Sequence, residues 1–474
     1  MKKSRREFLK SSCRALSMTA MAMQMRHFGL VNVLAQEHLK TEPSTSPEAE
    51  YKALVCVFMH GGNDSNNTIV PNYDEGYNQY AAARQAQGLA IPRANLLPIT
   101  PPAMNGQVYG LHPVLADLKT LFNAGKMAVV CNVGSLVKPL TRQLYQSGAQ
   151  RPYQLFSHPD QIQQFQTAVS STPAATGWGG RTSAKVAGLN NGAAIPMITS
   201  ISGSTIFSVG NGGSPLIIAS APTPLNKVLS LSGFGTATDE LARRAAMEKI
   251  RGEDLSQTLV QATSILTQQA VNVSAELSQD PTLTVTFPNT SLGNQLRQVA
   301  KLMKFRTQLN MSRQIFYVQL NGFDSHGGQL TSHPNLLTQI SQALKAFYDE
   351  TQAQGIANQV TTFTMSDFSR TLNPAGAGSS VGTDHAWGGH HFVIGGAVNG
   401  GNFYGSPTSN GTIFPTLVNN GPDDAETRGR IIPSVAIEQY AGTLARWFGL
   451  SDADIPLVFP NIANFSTSNL GFMV

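Results

Sequence analysis

Four apolar runs rich in β-branched residues alternate along the chain with stretches of helical periodicity. The runs cover residues 53–59, 127–133, 315–320 and 360–365, and the helical stretches cover 113–124, 291–308 and 336–354. Each run has the length and composition of a strand buried on both faces and ends in a loop that contains glycine or aspartate. Strands that alternate with helices are typical of parallel sheets with right-handed crossovers. The pattern therefore predicts an α/β fold with a mostly parallel sheet sandwiched by helices.

The pattern changes in the segment 177–288. Short strand-like pieces rich in Gly, Ser and Ala extend to residue 235, and a polar helical stretch follows over 239–277. This composition predicts an inserted cap region on the same domain. Because no apolar run reaches the roughly 20 residues that a membrane helix needs, we expect no membrane span in the mature chain.

The N-terminal segment has the form of an export signal. Residues 4–10 read SRREFLK, a twin-arginine motif, and a mildly apolar stretch leads to a plausible cleavage site after Ala35. We expect residues 1–35 to be a signal peptide recognised by the twin-arginine translocation machinery, 36–50 to be a linker, and 51–474 to be the folded domain. The protein would then be periplasmic or secreted. A cytosolic amphipathic helix is the alternative interpretation of this segment.

The net charge of +5 reflects the signal segment and not the folded domain. Of 33 Lys and Arg, seven lie in the first 35 residues, as does one of the 28 Asp and Glu. The other 439 residues thus hold 26 basic against 27 acidic side chains, a net charge of −1. Nucleic acids and anionic membranes bind clustered cationic surface, so the charge of the mature chain gives no electrostatic argument for either partner, and we expect no nucleic acid to bind.

Three predicted strands deliver an acidic residue at their carboxyl ends: Asp64, Asp324 and Asp367. Parallel strands end at the same edge of a sheet, where ligands usually bind. Carboxylates gathered in a cleft repel one another unless a cation compensates their charge. The sequence therefore predicts a divalent metal site at this edge, although a lone loop Asp is more often a turn or helix cap.

Histidines in glycine-rich loops strengthen the prediction of a metal site. His326 follows Asp324 closely, and His385 and His390 belong to a second loop. His390 and His391 cannot both face the site if they lie in one strand, and we select His390. Imidazole together with carboxylate suits Zn or Mn, with Fe or Ca as the alternatives.

Ser157, Arg181 and Arg370 are the candidate catalytic residues. Ser157 precedes a histidine, but adjacent side chains diverge and rarely form a nucleophile and base pair, so a helix-capping role is the alternative. Arg181 lies in a glycine-rich turn and Arg370 directly behind Asp367, where either guanidinium could bind an anion.

Six motifs, in order along nearly the whole mature chain, resemble an exported bacterial family known as domain of unknown function 1501. They are GGND at 61–64, FSH at 156–158, GWGGR at 177–181, GFDSH at 322–326, SDFSR at 366–370 and DHAWGGHH at 384–391. That family is itself similar to the alkaline phosphatase and sulfatase superfamily.

The resemblance implies an alkaline phosphatase-like fold with metal ligands at the carboxyl ends of the strands. The superfamily ligands would match Asp64, Asp324, His326 and Asp367, followed by His385 or His390. The superfamily usually has His after the third Asp, where this chain has Phe368. Its Ser or Thr nucleophile has no clear match among Ser65, Thr68 and Ser157.

These features lead to the hypothesis of an exported metal-dependent hydrolase that acts on phosphate or sulfate esters. Its substrates would be small-molecule or glycan esters. The alternative is a non-catalytic periplasmic binding or structural protein that retains the superfamily fold.

Overall fold

The computed structural model describes residues 50–210, 213, 215–228, 236–253, 256 and 258–474. The predicted signal peptide and all but the last residue of the predicted linker lie outside these residues, so both assignments stay predictions.

A mostly parallel sheet forms the centre of the molecule. Its strands are β1 (Lys52–His60), β5 (Met127–Gly134), β6 (Ile198–Ser200), β7 (Leu216–Ile217), β8 (Arg313–Asn321), β9 (Val360–Ser366), β10 (Gly389–Gly395), β11 (Phe403–Tyr404) and β12 (Val435–Ala436). The spatial order is β11-β5-β10-β9-β1-β8-β6-β7, and β12 also pairs with β5. Within this sheet β10 runs antiparallel to both β5 and β9, whereas the other pairings are parallel. The prediction of an α/β fold with a mostly parallel sheet is confirmed.

A second, small antiparallel sheet and a set of helices complete the fold. The small sheet consists of β2 (Ile69–Pro71), β3 (Leu97–Ile99) and β4 (Tyr109–Leu111), in the order β2-β4-β3. The helices are α1 (Ser65–Thr68), α2 (Asp74–Arg84), α3 (Ala116–Asn123), α4 (Arg142–Gln146), α5 (His158–Thr167), α6 (Trp178–Lys185), α7 (Thr238–Arg251), α8 (Thr258–Glu276), α9 (Ser291–Lys304), α10 (Gln329–Ala353), α11 (Ile437–Phe448) and α12 (Ile455–Val458).

The central sheet is covered on both faces. In β1, Val55 and Val57 belong to one buried apolar cluster and Cys56 and Phe58 to another, because successive side chains of a strand point to opposite faces. Helices α3, α9 and α10 contribute to the first cluster, and α5, α11 and α12 contribute to the second. The three layers explain why the strands read as continuous apolar runs.

The segment 177–288 combines sheet and helical structure. Strand β6 pairs with β8 and β7 pairs with β6, so part of this segment extends the central sheet. Helices α7 and α8 follow, where the sequence predicted a single helical stretch. The boundaries of the inserted cap region stay a prediction. Helices α7 and α8 agree with that prediction better than strands β6 and β7, which belong to the central sheet.

The described residues include no helix that is both long enough and apolar enough to cross a membrane.

A buried glutamate near the start of α11 has an unusual environment. The Glu438 side chain is fully buried; its Oε1 accepts a hydrogen bond from Asn461 Nδ2 at 3.3 Å, and its Oε2 has no partner. Burial raises the pKa of Glu438 from 4.5 to about 8, against the opposing charge of Arg181. Glu438 therefore keeps its proton in the folded protein at neutral pH, whereas the unfolded chain releases it.

We expect the substitution Glu438→Gln to stabilise the protein increasingly as pH rises from 4.5 to 8, the interval between the two pKa values. In this interval the unfolded state binds fewer protons than the folded state, so the free energy of unfolding of the wild type falls with pH. The variant does not titrate there, and its advantage should grow by roughly 1 kcal/mol per pH unit. Chemical denaturation at several pH values measures this difference. The exposed residue Glu75, as Glu75→Gln, is the matched control, and parallel pH curves for wild type and Glu438→Gln would contradict the assignment.

Candidate metal centre

The carboxyl ends of three adjacent strands bring the site together. Strand β1 pairs in parallel with β8 and β9, so that His60 lies beside Asn321 and Met59 beside Ser366. The loops that follow these strands therefore meet at one edge. Gly61 allows this close approach, since a Cβ at its position would lie 2.3 Å from the backbone nitrogen of Asp324.

Three residues from separate segments form a candidate metal centre: His158, Asp324 and His385. One ligand atom from each lies within 4.8 Å of the others. The Nε2 atoms of both histidines are 3.4 Å from Asp324 Oδ1. His158 begins helix α5, Asp324 follows β8, and His385 precedes β10.

Outer hydrogen bonds fix the tautomers of the two histidines. His158 Nδ1 lies 2.7 Å from Asp367 Oδ2, and His385 Nδ1 lies 2.7 Å from the Phe156 carbonyl oxygen. Both partners only accept hydrogen bonds, so each Nδ1 carries a proton, and in the neutral form of each ring Nε2 presents a lone pair. His158 Nε2 is buried and has no hydrogen-bond partner.

These lone pairs converge on a carboxylate, and this donor set fits a divalent cation. Two imidazole nitrogens and one carboxylate oxygen make a three-ligand set of the kind found in catalytic zinc sites, which keep a further position open. The carboxylate–histidine pairing of Asp367 with His158 is a common second layer around bound metals.

His326 lies beside this centre. Its Nε2 is 3.0 Å from Asp324 Oδ1 and 2.9 Å from His385 Nε2, and its Nδ1 is 3.0 Å from Asp384 Oδ1. The side chain is 48% exposed, more than that of His158 or His385 at 23%. His326 therefore stands on the solvent side of the centre.

Arg370 and Phe368 shape the surroundings of the centre. Arg370 is fully buried and donates to Asp324 Oδ1 at 2.8 Å and to the Gly61 carbonyl at 3.2 Å. The Phe368 ring packs against the rings of His158 and His385, each with centroids 4.8 Å apart. Phe368 thus forms an apolar wall behind two candidate ligands.

The electrostatic environment keeps the carboxylate charged and one imidazole neutral. Burial opposes ionisation of Asp324, but the hydrogen bond and charge of Arg370 prevail and lower the pKa of its carboxyl. Burial lowers the pKa of His385. The hydrogen bond to Asp367 raises the pKa of His158, so a proton competes there with a metal ion.

Five of the predicted site residues meet here. Asp324 and His385 contribute ligand atoms, His326 and Arg370 contact Asp324, and Asp367 orients a histidine without contributing to the ligand set.

Asp64 is not brought into this ligand set. Its carboxylate is fully buried and receives two hydrogen bonds from Arg84 of α2, with Nη1 at 2.6 Å from Oδ2 and Nη2 at 3.0 Å from Oδ1. Gln329 also donates to it. Although burial opposes ionisation, Arg84 lowers the pKa of Asp64. The Arg84 guanidinium therefore compensates the carboxylate charge of Asp64, for which the sequence analysis predicted a metal ion.

His390 also lies apart from the ligand set. Its ring stacks on Phe414 at 4.5 Å between centroids, and its Nδ1 accepts a hydrogen bond from the Asn132 backbone at 3.1 Å. Burial lowers its pKa to about 3. His391 stacks instead on Tyr440, in the other buried cluster.

The other two candidate catalytic residues have different local partners. Ser157 stands at the N-cap of α5, where its Oγ donates to Asp160 Oδ2 at 2.5 Å. Arg181 donates to the backbone carbonyl of Val458, with its Nε at 3.0 Å, and to those of Thr167 and Thr176. Neither side chain is among those that form the centre.

His158 is the residue that sequence reasoning missed. It belongs to the FSH motif, in which the neighbouring Ser157 was the predicted catalytic residue. The signal that could have identified it is its place at the first position of a helix, directly after a loop that the family motif marks. Because the other candidate ligands, Asp324 and His385, lie far along the chain, no local sequence pattern connects His158 with them.

Fold and site together define a class: an α/β protein with a mostly parallel sheet and a candidate His/Asp metal centre at the carboxyl edge. Within this class, the chain belongs to the family described as "Protein of unknown function (DUF1501)", whose model matches residues 51–454. The resemblance inferred from the motifs is thereby confirmed. Among curated proteins, none matches the chain.

Three solved structures are similar to this chain at low identity. The lipoteichoic acid synthase LtaP from Listeria monocytogenes is 11% identical with a TM-score of 0.25, and the match covers 72% of this chain and 61% of that protein. Ps i-CgsB, solved in complex with k-i-k-neocarrahexaose, is 10% identical with a TM-score of 0.32, covering 87% and 77%. The PsFucS1 sulfatase from Pseudoalteromonas sp. is 10% identical with a TM-score of 0.31, covering 85% and 69%.

The substitution Asp367→Asn tests the tautomer assignment. The Asn oxygen can keep the hydrogen bond from the Gly61 backbone nitrogen, now 3.0 Å long, while its amide donates to His158 Nδ1. The imidazole proton would then move to Nε2 and block ligation. We expect Zn²⁺ affinity to fall by about 10- to 100-fold, measured by competition with a chromophoric chelator. The exposed residue Asp74, as Asp74→Asn, should leave affinity unchanged; equal affinity of Asp367→Asn and wild type would refute the assignment.

Proposed function

We propose that this protein is an exported, metal-dependent hydrolase of phosphate or sulfate esters, with small-molecule or glycan esters as substrates. The observation that carries the proposal is the convergence of the His158 and His385 Nε2 lone pairs on the Asp324 carboxylate. Arg370 donates one hydrogen bond to Asp324 Oδ1, and a cation between the two Nε2 atoms and this carboxylate would add attraction to all three atoms.

The proposed ion is Zn or Mn, because two imidazoles and a carboxylate suit these metals; Fe and Ca are the alternatives. His158, Asp324 and His385 would hold it. A bound divalent ion of this kind polarises an ester oxygen and lowers the pKa of a coordinated water.

The charge of the site favours an anionic substrate. Asp324, Asp367 and Asp384 bring three negative charges, and Arg370 and Arg428 bring two positive ones through ion pairs with Asp324 and Asp384. A divalent cation makes this group of charges net positive. An anionic ester would therefore be attracted to the centre, whereas a neutral one would gain little.

The other residues of the site have separate proposed roles in proton transfer, in holding the ligand Asp324 and in supplying the nucleophile. His326 is exposed and has its Nδ1 oriented by Asp384, so its Nε2 is placed to accept or donate a proton at the open side of the centre. Arg370 is engaged with Asp324 and holds that ligand in place. Because the Ser157 hydroxyl is engaged with Asp160, we assign the nucleophile to water.

Export by the twin-arginine translocation machinery to the periplasm, or beyond it, completes the proposal. The support is the SRREFLK motif and the charge contrast between the first 35 residues and the rest of the chain.

The decisive variant is Asp324→Asn. Loss of the ligand charge should reduce metal content to near zero and lower turnover of p-nitrophenyl phosphate or sulfate by about a hundredfold or more. Elemental analysis of protein folded in the cell and a colorimetric assay measure the two effects. Asp452→Asn, at a residue with an 85% exposed side chain, is the control for handling and charge. A variant Asp324→Asn that retains both its metal and its turnover would exclude this site.

The second candidate function is a non-catalytic binding protein with the same fold. It is favoured by Phe368 and by the engagement of Ser157. Stoichiometric metal without hydrolysis of any phosphate monoester, diester or sulfate ester would support this candidate over the hydrolase.

A further inference from the structure

A series of buried hydrogen bonds connects Asp64 with the candidate ligand Asp324. Gln329 Nε2 donates to Asp64 Oδ2, and Gln329 Oε1 accepts from Thr383 Oγ1 at 2.6 Å. Thr383 Oγ1 accepts in turn from Arg370 Nε at 3.3 Å, and Arg370 Nη1 donates to Asp324 Oδ1 at 2.8 Å. Four residues that are at most 1% exposed therefore form an inner network that reaches the centre: Asp64, Gln329, Thr383 and Arg370.

Asp64 determines the direction of these hydrogen bonds. Burial opposes ionisation of Asp64, but the charge and hydrogen bonds of Arg84 lower its pKa, so the carboxylate is an acceptor at neutral pH. The amide nitrogen of Gln329 therefore faces Asp64, and the amide oxygen faces Thr383. The Thr383 hydroxyl gives its single proton to that oxygen and turns a lone pair toward Arg370 Nε.

Thr383 holds the Arg370 guanidinium in one orientation. Its Oγ1 accepts from Nε and its backbone oxygen accepts from Nη2, so one edge of the planar group is bound twice. Nη1 is thereby directed toward Asp324 Oδ1 and the Gly61 carbonyl. Because the Asp324 side chain is 45% exposed, a fixed donor restrains a carboxylate that could otherwise rotate in solvent.

Backbone hydrogen bonds hold the same segments together independently of these side chains. Thr383 N donates to the carbonyl of Ser325, the residue after Asp324, and Gln329 N donates to the Val381 carbonyl, both at 3.0 Å. A substitution that removes only a side-chain hydrogen bond of the inner network therefore leaves these backbone contacts in place.

We propose that Gln329 and Thr383 are positioning residues that hold the ligand Asp324 in the orientation that binds the ion. They act through Arg370, and neither is among the candidate ligands. A ligand that is already oriented loses less freedom when the ion binds, which strengthens binding. The proposal rests on the metal centre of the proposed function but not on ester hydrolysis.

The test compares two substitutions of Thr383 in the full mature chain. Thr383→Val keeps the shape of the side chain without its hydroxyl, and Thr383→Ser keeps the hydroxyl. Competition with a chromophoric chelator should show Zn²⁺ affinity about tenfold lower in Thr383→Val and wild-type affinity in Thr383→Ser. The visible absorption of the Co²⁺-loaded protein, which reports ligand geometry, should change and recover in the same way. Thr361→Val, which removes a buried hydroxyl near the amino end of β9, is the matched control.

A second variant covers the case in which Thr383→Val does not fold. Gln329→Met has a similar volume but no amide, so the Thr383 hydroxyl loses its acceptor and the affinity for Zn²⁺ should also fall. Its matched control is Gln298→Met, at a buried glutamine of α9 that donates to the Thr223 carbonyl.

An NMR measurement on the metal-free protein shows whether the hydrogen bond from Arg370 to Thr383 has been lost. Exchange of the Arg370 Nε–H with solvent should be slow in the wild type and in Thr383→Ser, and faster in Thr383→Val. The variant Arg370→Lys identifies the signal by its absence. This readout requires neither metal nor turnover.

Three results would overturn the proposal alone. The first is unchanged Zn²⁺ affinity in both Thr383→Val and Gln329→Met. The second is a loss of affinity without faster exchange, which would exclude action through Arg370. The third is an equal loss of affinity in Thr361→Val and Gln298→Met, which would make the effect a general consequence of destabilisation. A wild type that binds neither Zn²⁺ nor Co²⁺ would refute the proposed function as well.

Discussion

The convergence of two imidazole nitrogens on the Asp324 carboxylate is the arrangement on which the site depends. The proton of His158 is held on Nδ1 by Asp367 and that of His385 by the Phe156 carbonyl, so both rings turn a lone pair toward a carboxylate. A single Arg370 hydrogen bond offsets part of the carboxylate charge. A cation would stabilise such a set, and the backbone has to hold each candidate ligand in place for this to occur.

The sheet provides this rigidity. Strands β1, β8 and β9 are buried and in parallel register, and the loops beyond them are tied together by short contacts. Gly61 donates to Asp367 Oδ1 at 3.0 Å, and Arg370 reaches back to the Gly61 carbonyl. One loop therefore positions the orienting carboxylate, the charged ligand and the buried guanidinium together. A candidate ligand such as Asp324, which comes directly after a buried strand, loses little freedom when an ion binds, which favours affinity.

The sequence predicted the parts of this arrangement that follow from local pattern. Apolar runs located the four strands, and strand ends located Asp324 and Asp367. His390 was expected to face the site, but its ring stacks on Phe414 in the first buried cluster, and the side chains from His390 to Ile394 alternate regularly between the two clusters of the core. His158 could not be assigned, since only the packing of α5 against the sheet brings it beside residues more than a hundred positions away. Such long-range placement leaves no periodic signal in a single sequence.

Arg84 explains why the predicted ligand Asp64 does not join the candidate metal centre. Its guanidinium is fully buried and binds Asp64 with two parallel hydrogen bonds, while its Nε and Nη2 also donate to the backbone carbonyls of Leu372 and Thr371. A bidentate, fully satisfied pair of this kind is not readily exchanged for an ion, because removing either partner leaves a buried charge. The acidic edge therefore separates into two parts, one in which Arg84 compensates the Asp64 carboxylate and one in which two imidazoles converge on the Asp324 carboxylate. The second part contains the more exposed His326, which lies beside the candidate ligands Asp324 and His385 on the solvent side.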